Sequence, residues 1–235
     1  MTLMMPTARM LLALALLMSP AVAAEPVRHI GIYVQPYYVA AETTDAPPMV
    51  DVGAGFSGLL ASTRRDDILA ARDKVVADPK MVTPMTLMVL AIRLYDVGLR
   101  EESVLWFYAA KDRYITLGDV IDVSAAGLAE VEAAVGSFAT LAGPFINGFA
   151  FCDAARQAAL RADGLAWVEA NPYGAIFLSQ LPARSADRAT LLDQSIAGLK
   201  ANAAKERAFL EDPANLAGFK AMRRENEMDE KFCWQ

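Results

Sequence analysis

An all-α domain of helical hairpins, preceded by one short extended segment, is the fold this sequence predicts. Three observations carry it. Helix-start signatures recur along the chain, apolar residues fall at helical spacing from residue 55 onward, and no stretch alternates strand and helix as a βαβ unit would. The predicted organisation is a Sec signal peptide over 1–24, a strap or strand with its loop over 25–50, and a single helical domain over 51–235.

The chain opens with Met1–Arg9, whose only charged side chain is Arg9, and continues into the apolar run Met10–Met18. Ser19-Pro20 breaks that run, and Ala21-Val22-Ala23-Ala24 offers the small residues that a signal peptidase reads. The run is too short for a permanent span, which needs about 20 apolar residues. No cysteine follows the expected cleavage after Ala23 or Ala24, and no twin arginine precedes it. The expectation is a chain exported unfolded through Sec to the periplasm, without a lipid anchor or a preloaded cofactor.

Residues 25–50 differ in texture from the rest of the mature chain. His29–Val39 is rich in β-branched and aromatic residues with Pro36 inside it, which suggests an edge strand or a surface strap. Ala40–Pro48 reads as a loop. Tyr33, Tyr37 and Tyr38 on this segment are the candidate partner-contact residues, with pinning of the strap to the body as the plainer role.

The helices come next, in order. Thr63 with Asp66 makes a capping box for a helix over Asp66–Val76, stopped by Asp78-Pro79. Thr83-Pro84 opens the next, which runs to about Val97 with Gly98 as its carboxyl-terminal cap. Another is expected from about Glu101 to Tyr114. Further helices are expected near 124–141, 145–169, 172–180, 186–210 and 213–230. Asn171-Pro172 and Asp212-Pro213 repeat the cap-then-proline signature, and Leu192, Ile196, Leu199 and Ala203 mark a buried stripe. Ala133–Cys152 carries no charge and is long enough to span a bilayer, but Gly143-Pro144 divides it. Two buried helices joined by a turn are expected there, and no transmembrane span in the mature chain.

Residues 88–114 (MVLAIRLYDVGLREESVLWFYAAKDRY) resemble one unit of a tetratricopeptide or Sel1-like helical repeat. Ala91, Leu94, Tyr95 and Gly98 match its first helix and turn, and Ser103, Trp106 and Ala110 match its second. The resemblance implies a helical hairpin in which small residues permit close approach and aromatics fill the gap, and it points to protein binding.

Composition narrows the function classes. Hydrophobic residues make up 55% of the chain and charged residues 21%, enough to bury a large core. The formal net charge is −6, and basic residues are scattered, so a phosphate backbone would meet a repelling field and no nucleic acid is expected. Cys152 and Cys233 are the two cysteines, and in an oxidising compartment they are expected to pair, tying the tail to the middle of the chain.

Catalytic constellations are weak. Gly53-Ala54-Gly55-Phe56-Ser57-Gly58 matches a dinucleotide fingerprint, but the flanks lack the strands that motif needs, so a turn into a helix is expected. Ser57 has no neighbouring base, and His29, the lone histidine, sits where a surface residue would. Carboxylates at Asp66-Asp67, Glu101-Glu102 and Glu225–Glu230 read as helix-terminal or solvated charges. No catalytic, cofactor or metal site is assigned. The expectation is a non-enzymatic binder of another protein, of the inhibitor, immunity or envelope-assembly kind. The alternatives are an envelope hydrolase built on two distant carboxylates, or a small-ligand carrier with a cavity lined by Phe138, Phe145, Phe149 and Phe151.

Overall fold

The computed structural model describes residues 25–30, 38–39, 49–125 and 129–234. The expected signal peptide, the loop of 40–48, and Tyr33 and Tyr37 lie outside the described residues. Those residues form two short strands and nine helices: β1 (Tyr38–Val39), β2 (Met49–Val50), α1 (Ser57–Ala61), α2 (Arg65–Ala77), α3 (Pro84–Asp96), α4 (Arg100–Val120), α5 (Ala129–Ala150), α6 (Ala154–Ala170), α7 (Arg188–Glu211), α8 (Pro213–Glu225) and α9 (Met228–Phe232). The molecule is all-α. The strap region contributes an antiparallel pair, Tyr38 opposite Val50, rather than one extended segment.

The α3–α4 hairpin is the centre. Thr83 caps α3 by accepting the Thr86 N–H at 3.0 Å, and Pro84 occupies the first turn, where its missing N–H costs nothing. Gly98 has φ 81°, a left-handed turn residue that lets the Leu99 N–H return to the Leu94 carbonyl at 2.8 Å. Leu87, Leu90, Ala91 and Leu94 are wholly buried, and each leucine withdrawn from water contributes about 1.5–3 kcal/mol. Helix α4 packs against α3, α5, α6 and α7. On its α6 side, a Cβ on Gly164 would stand 2.9 Å from the Leu105 carbonyl, so only glycine permits that approach.

Arg113 of α4 is wholly buried and has no carboxylate partner among the described residues. Its guanidinium donates to the carbonyls of Pro79 (2.9 Å), Val82 (2.8 Å) and Asn171 (2.6 Å), and lies 4.5 Å from the Trp167 ring centre. Burial pushes it down to about 10, so it stays charged at neutral pH. It staples the α2–α3 turn and the end of α6 onto α4.

Four local expectations change. Thr63 does not cap α2: Arg64 holds the N-cap position without a side-chain cap, and two residues before it the Ser62 hydroxyl donates to Asp67 at 2.5 Å and accepts the Arg64 N–H at 3.1 Å. Helix α5 runs unbroken through Pro144, and the break falls at Phe151–Asp153. Pro144 is exposed while Phe138, Ala142 and Ile146 are buried. The carbonyl that proline orphans therefore faces water, and core packing sustains the helix. After Asn171-Pro172 only a 3₁₀ turn forms, Gly174–Phe177. There the Gly174 N–H is drawn to the Lys80 carbonyl at 2.7 Å. The last expected helix divides into α8 and α9 at Glu227, whose φ is 54°.

The two ends of the described chain meet. Cys152 and Cys233 are disulfide-bonded across a separation of 81 residues. The Val27 N–H donates to the Lys231 carbonyl at 2.9 Å, and the Tyr95 hydroxyl to the Val27 carbonyl at 3.0 Å. Arg100 donates to the carbonyls of Phe232 (3.1 Å) and Trp234 (2.5 Å), with its guanidinium over the rings of Trp234 and Phe149. Arg223, buried beneath, holds the Gly148 carbonyl at 3.0 Å and the Asp229 carboxylate at 2.8 Å.

Candidate functional site

The residues singled out from sequence mostly serve the fold. Gly53 and Gly55, at φ 103° and 82°, make the turn into α1, and the Ser57 hydroxyl donates to Asp51 at 3.0 Å. The glycine fingerprint is thus a fastened turn ahead of a short helix. His29 is exposed, and its Nδ1 lies 3.9 Å from the buried Asp96 carboxylate. Asp96 itself is held by Arg93 and by the Ile30 N–H at 2.8 Å. Glu101 pairs with Arg156, and Glu102 with Arg72 at 2.8 Å. Tyr38 lies in β1, and its side chain falls outside the described part of the structure.

Among the described residues the four phenylalanines have different partners. Phe138 is core, Phe145 meets Phe232 edge-on at 6.3 Å, Phe149 lies under Arg100, and Phe151 meets Phe219 at 5.2 Å. Among the described residues no three His, Cys, Asp or Glu side chains group as a metal site would need. Helix α5 is long and apolar enough to cross a membrane by length and composition. Here it packs against α3, α4, α6 and α9.

What the structure does bring together is a polar chain linking four helices. Gln157 of α6 donates to Glu206 of α7 at 2.7 Å and to the Tyr108 hydroxyl of α4 at 2.8 Å. Tyr108 in turn donates to Asn147 of α5 at 3.1 Å. One turn further along α4, Asp112 is ion-paired with Arg161 of α6. Arg161 also lies 5.0 Å from the Tyr108 ring. Burial pushes Tyr108 up to about 12, raises Asp112 against the pull of Arg161, and lowers Lys111 beside it.

That chain closes one end of a groove of about 430 Å³ between α6 and α7. Ala158, Ala162 and Ala166 line one wall at successive turns, and Ala203, Ala204 and Ala208 line the other. Leu165 floors it, and Glu169, Lys200, Arg207 and Glu211 edge it. Chemically this is a mixed-charge trough whose methyl-lined walls let a foreign backbone approach closely. A proton-transfer role fits poorly. Asp112 is 1% exposed and lies behind Arg161, and Tyr108 keeps its proton at any neutral pH.

This network was missed from sequence, yet a signal existed. Tyr108, Asp112 and Thr116 repeat at i+4 on a helix whose stripe is otherwise apolar, as do Gln157 and Arg161 on α6. Charges set into a buried stripe announce a buried partner without naming it.

No protein-family model matches the chain, and no solved structure matches it. A protein of Haemophilus influenzae described as uncharacterized is 33% identical over 210 residues, spanning 89% of this chain and 81% of the relative. That extent covers the strap, the central hairpin and the groove helices alike, and the chain belongs to the same family as that Haemophilus protein.

Proposed function

We propose that this chain is an exported, non-enzymatic protein-binding module of the bacterial periplasm, delivered by its amino-terminal signal peptide. Its role is that of an inhibitor, immunity or envelope-assembly protein. The observation that carries the reading is the α6–α7 groove: two facing alanine walls, open to solvent along their length, with alternating charges at the rim. Such a trough suits a partner helix that lays small apolar residues on the alanines and matches the rim with its own charges. The polar chain beneath it supports the reading, because it fixes the spacing of α6 and α7 against α4. The hairpin of 88–114, with its resemblance to a repeat unit that binds proteins, is consistent with it. A hydrolase using Asp112 and Glu206 has less support, since one acid of that pair is sealed from substrate.

The test is photo-crosslinking from Ala162 and Ala204 in native cells, with Ser185, on the connection before α7, as the control position. One discrete adduct from both groove positions and none from Ser185 is the expected result. Equal labelling from all three, or none from the groove, would refute docking there. Ala162→Arg should abolish the adduct at Ala204 while leaving Tm within about 2 °C, because the position is exposed.

A further inference from the structure

On another part of the molecule, a concave cavity of about 450 Å³ lies between the turn before α1, the start of α3, the second half of α4, the start of α5 and the 173–181 connection. It is separate from the α6–α7 groove. Its floor is apolar and withdrawn from solvent: Met85, Leu117, Val123 and Val135 are all buried. Tyr114 and Tyr173 are half-buried in its wall. The volume is that of a small-molecule site, where an apolar pocket of roughly 300–1,000 Å³ carries a few polar groups that orient the ligand.

The polar groups here are of one sign. Asp51 and Glu132 are exposed carboxylate residues of the lining, and no lysine, arginine or histidine is among the described lining residues. Asp51 is fixed in place, its Oδ1 accepting from the Gly53 N–H at 3.1 Å and the Ser57 hydroxyl at 3.0 Å. The Tyr114 hydroxyl donates to the Glu132 carbonyl at 3.3 Å, which ties that wall to the start of α5. Arg113, whose guanidinium lies 5.6 Å from the Tyr173 ring centre, is wholly buried and is not a lining residue; its Nη1 and Nη2 groups donate to backbone carbonyls, while its Nε finds no partner among the described residues.

We infer that this cavity is a binding site for a hydrophobic amine, an apolar body seated on Met85, Leu117 and Val135 with one ammonium held at the Asp51 and Glu132 rim. Tyr114 in the wall adds to the preference for a cation, since an ammonium near a phenol ring is itself attracted. An anionic ligand of the same shape meets two carboxylates and no cationic side chain among the described lining residues.

Calorimetric titration of the purified chain with three bicycles of one shape tests this: tryptamine, neutral 3-ethylindole and anionic indole-3-propionate. Tryptamine should bind saturably and at least about 10-fold tighter than the propionate at low salt, with the gap narrowing near about 0.5 M salt. Asp51→Asn and Glu132→Gln should each weaken tryptamine by about 2- to 5-fold and leave 3-ethylindole unchanged. Leu117→Trp and, separately, Ala175→Leu, which fill the cavity from two sides, should remove all three while a cooperative melt is retained. Absence of saturable tryptamine binding overturns the inference. So does equal or tighter binding of the propionate, or tryptamine affinity indifferent to both carboxylate changes.

Discussion

The α3–α4 hairpin and the consecutive helices α7 and α8 are built on opposite terms. In α3, eleven of 13 residues are buried, so the helix has hardly any outer face. In α7, five of 24 are buried, and in α8 only Arg223 of 13. The first region is surrounded by neighbours on every side. The second presents one stripe to the core and gives the rest of its surface to solvent and to the groove. Stability and binding surface are thereby segregated: the centre cannot change without cost, and the periphery has faces to spare.

The largest expected effect would come from removing the bond that makes this periphery dependable. Cys233→Ser opens a loop of 81 residues, which the chain-entropy relation values at about 4–5 kcal/mol. Urea unfolding should record that loss, and hydrogen exchange should place the new opening in α8 and α9. Exchange rising equally in α3 would mean the two regions are one cooperative unit, and the comparison would fail.

Next comes a matched pair of core truncations. Phe107→Ala in α4 removes a buried ring packed edge-on to Tyr108, and should cost about 3–5 kcal/mol. Leu199→Ala, on the one buried stripe of α7, should cost about 2–3 kcal/mol, because solvent lies closer and the site relaxes more easily. Equal losses in chemical denaturation would erase the distinction between centre and periphery.

The smallest effect lies at a surface tie that joins the central hairpin to α6. Arg156 of α6 donates to Glu101 of α4, holding that carboxyl below its ordinary value. A carboxylate depressed in the folded state adds stability above its unfolded pKa and loses it as pH falls through the folded one. Glu101→Gln should therefore lower Tm by no more than about 2 °C at pH 7 and by nothing at pH 3, since the pair is exposed and screened. Asp112 works in the opposite sense. Burial raises it, so its protonation as pH falls from neutral favours the folded state. A larger effect of Glu101→Gln in acid than at neutrality would contradict the assignment.

How much of this was legible in the sequence depends on how local the cause is. Thr83-Pro84 and Gly98 bound α3 correctly because capping and left-handed turns are decided within a few residues. The stripe of Leu192, Ile196 and Leu199 was equally plain, but Ala203, expected to continue it, is only half-buried and lines the groove. Pro144 misled because the burial of Phe138, Ala142 and Ile146 outweighs one lost hydrogen bond, and that burial depends on α4. Asn171-Pro172 carried a helix-start signature, but tethering of Gly174 to Lys80 left room for a single 3₁₀ turn. The groove was invisible for a related reason. Its alanines look like ordinary helix formers until α6 and α7 are placed side by side. Its polar chain needs partners 49 residues apart, Tyr108 with Gln157 and Gln157 with Glu206.

The Cys152–Cys233 bond also changes what it means to cut this molecule. The connection from Leu178 to Asp187 is mostly exposed and lies between the two cysteines in sequence. A protease that severs it yields two peptides still joined as one covalent species, which separate only when the bond is reduced. The protein can therefore suffer a backbone break beside its groove and keep α7 and α8 tethered to the body. Under non-reducing conditions, a nicked population would run as intact chain.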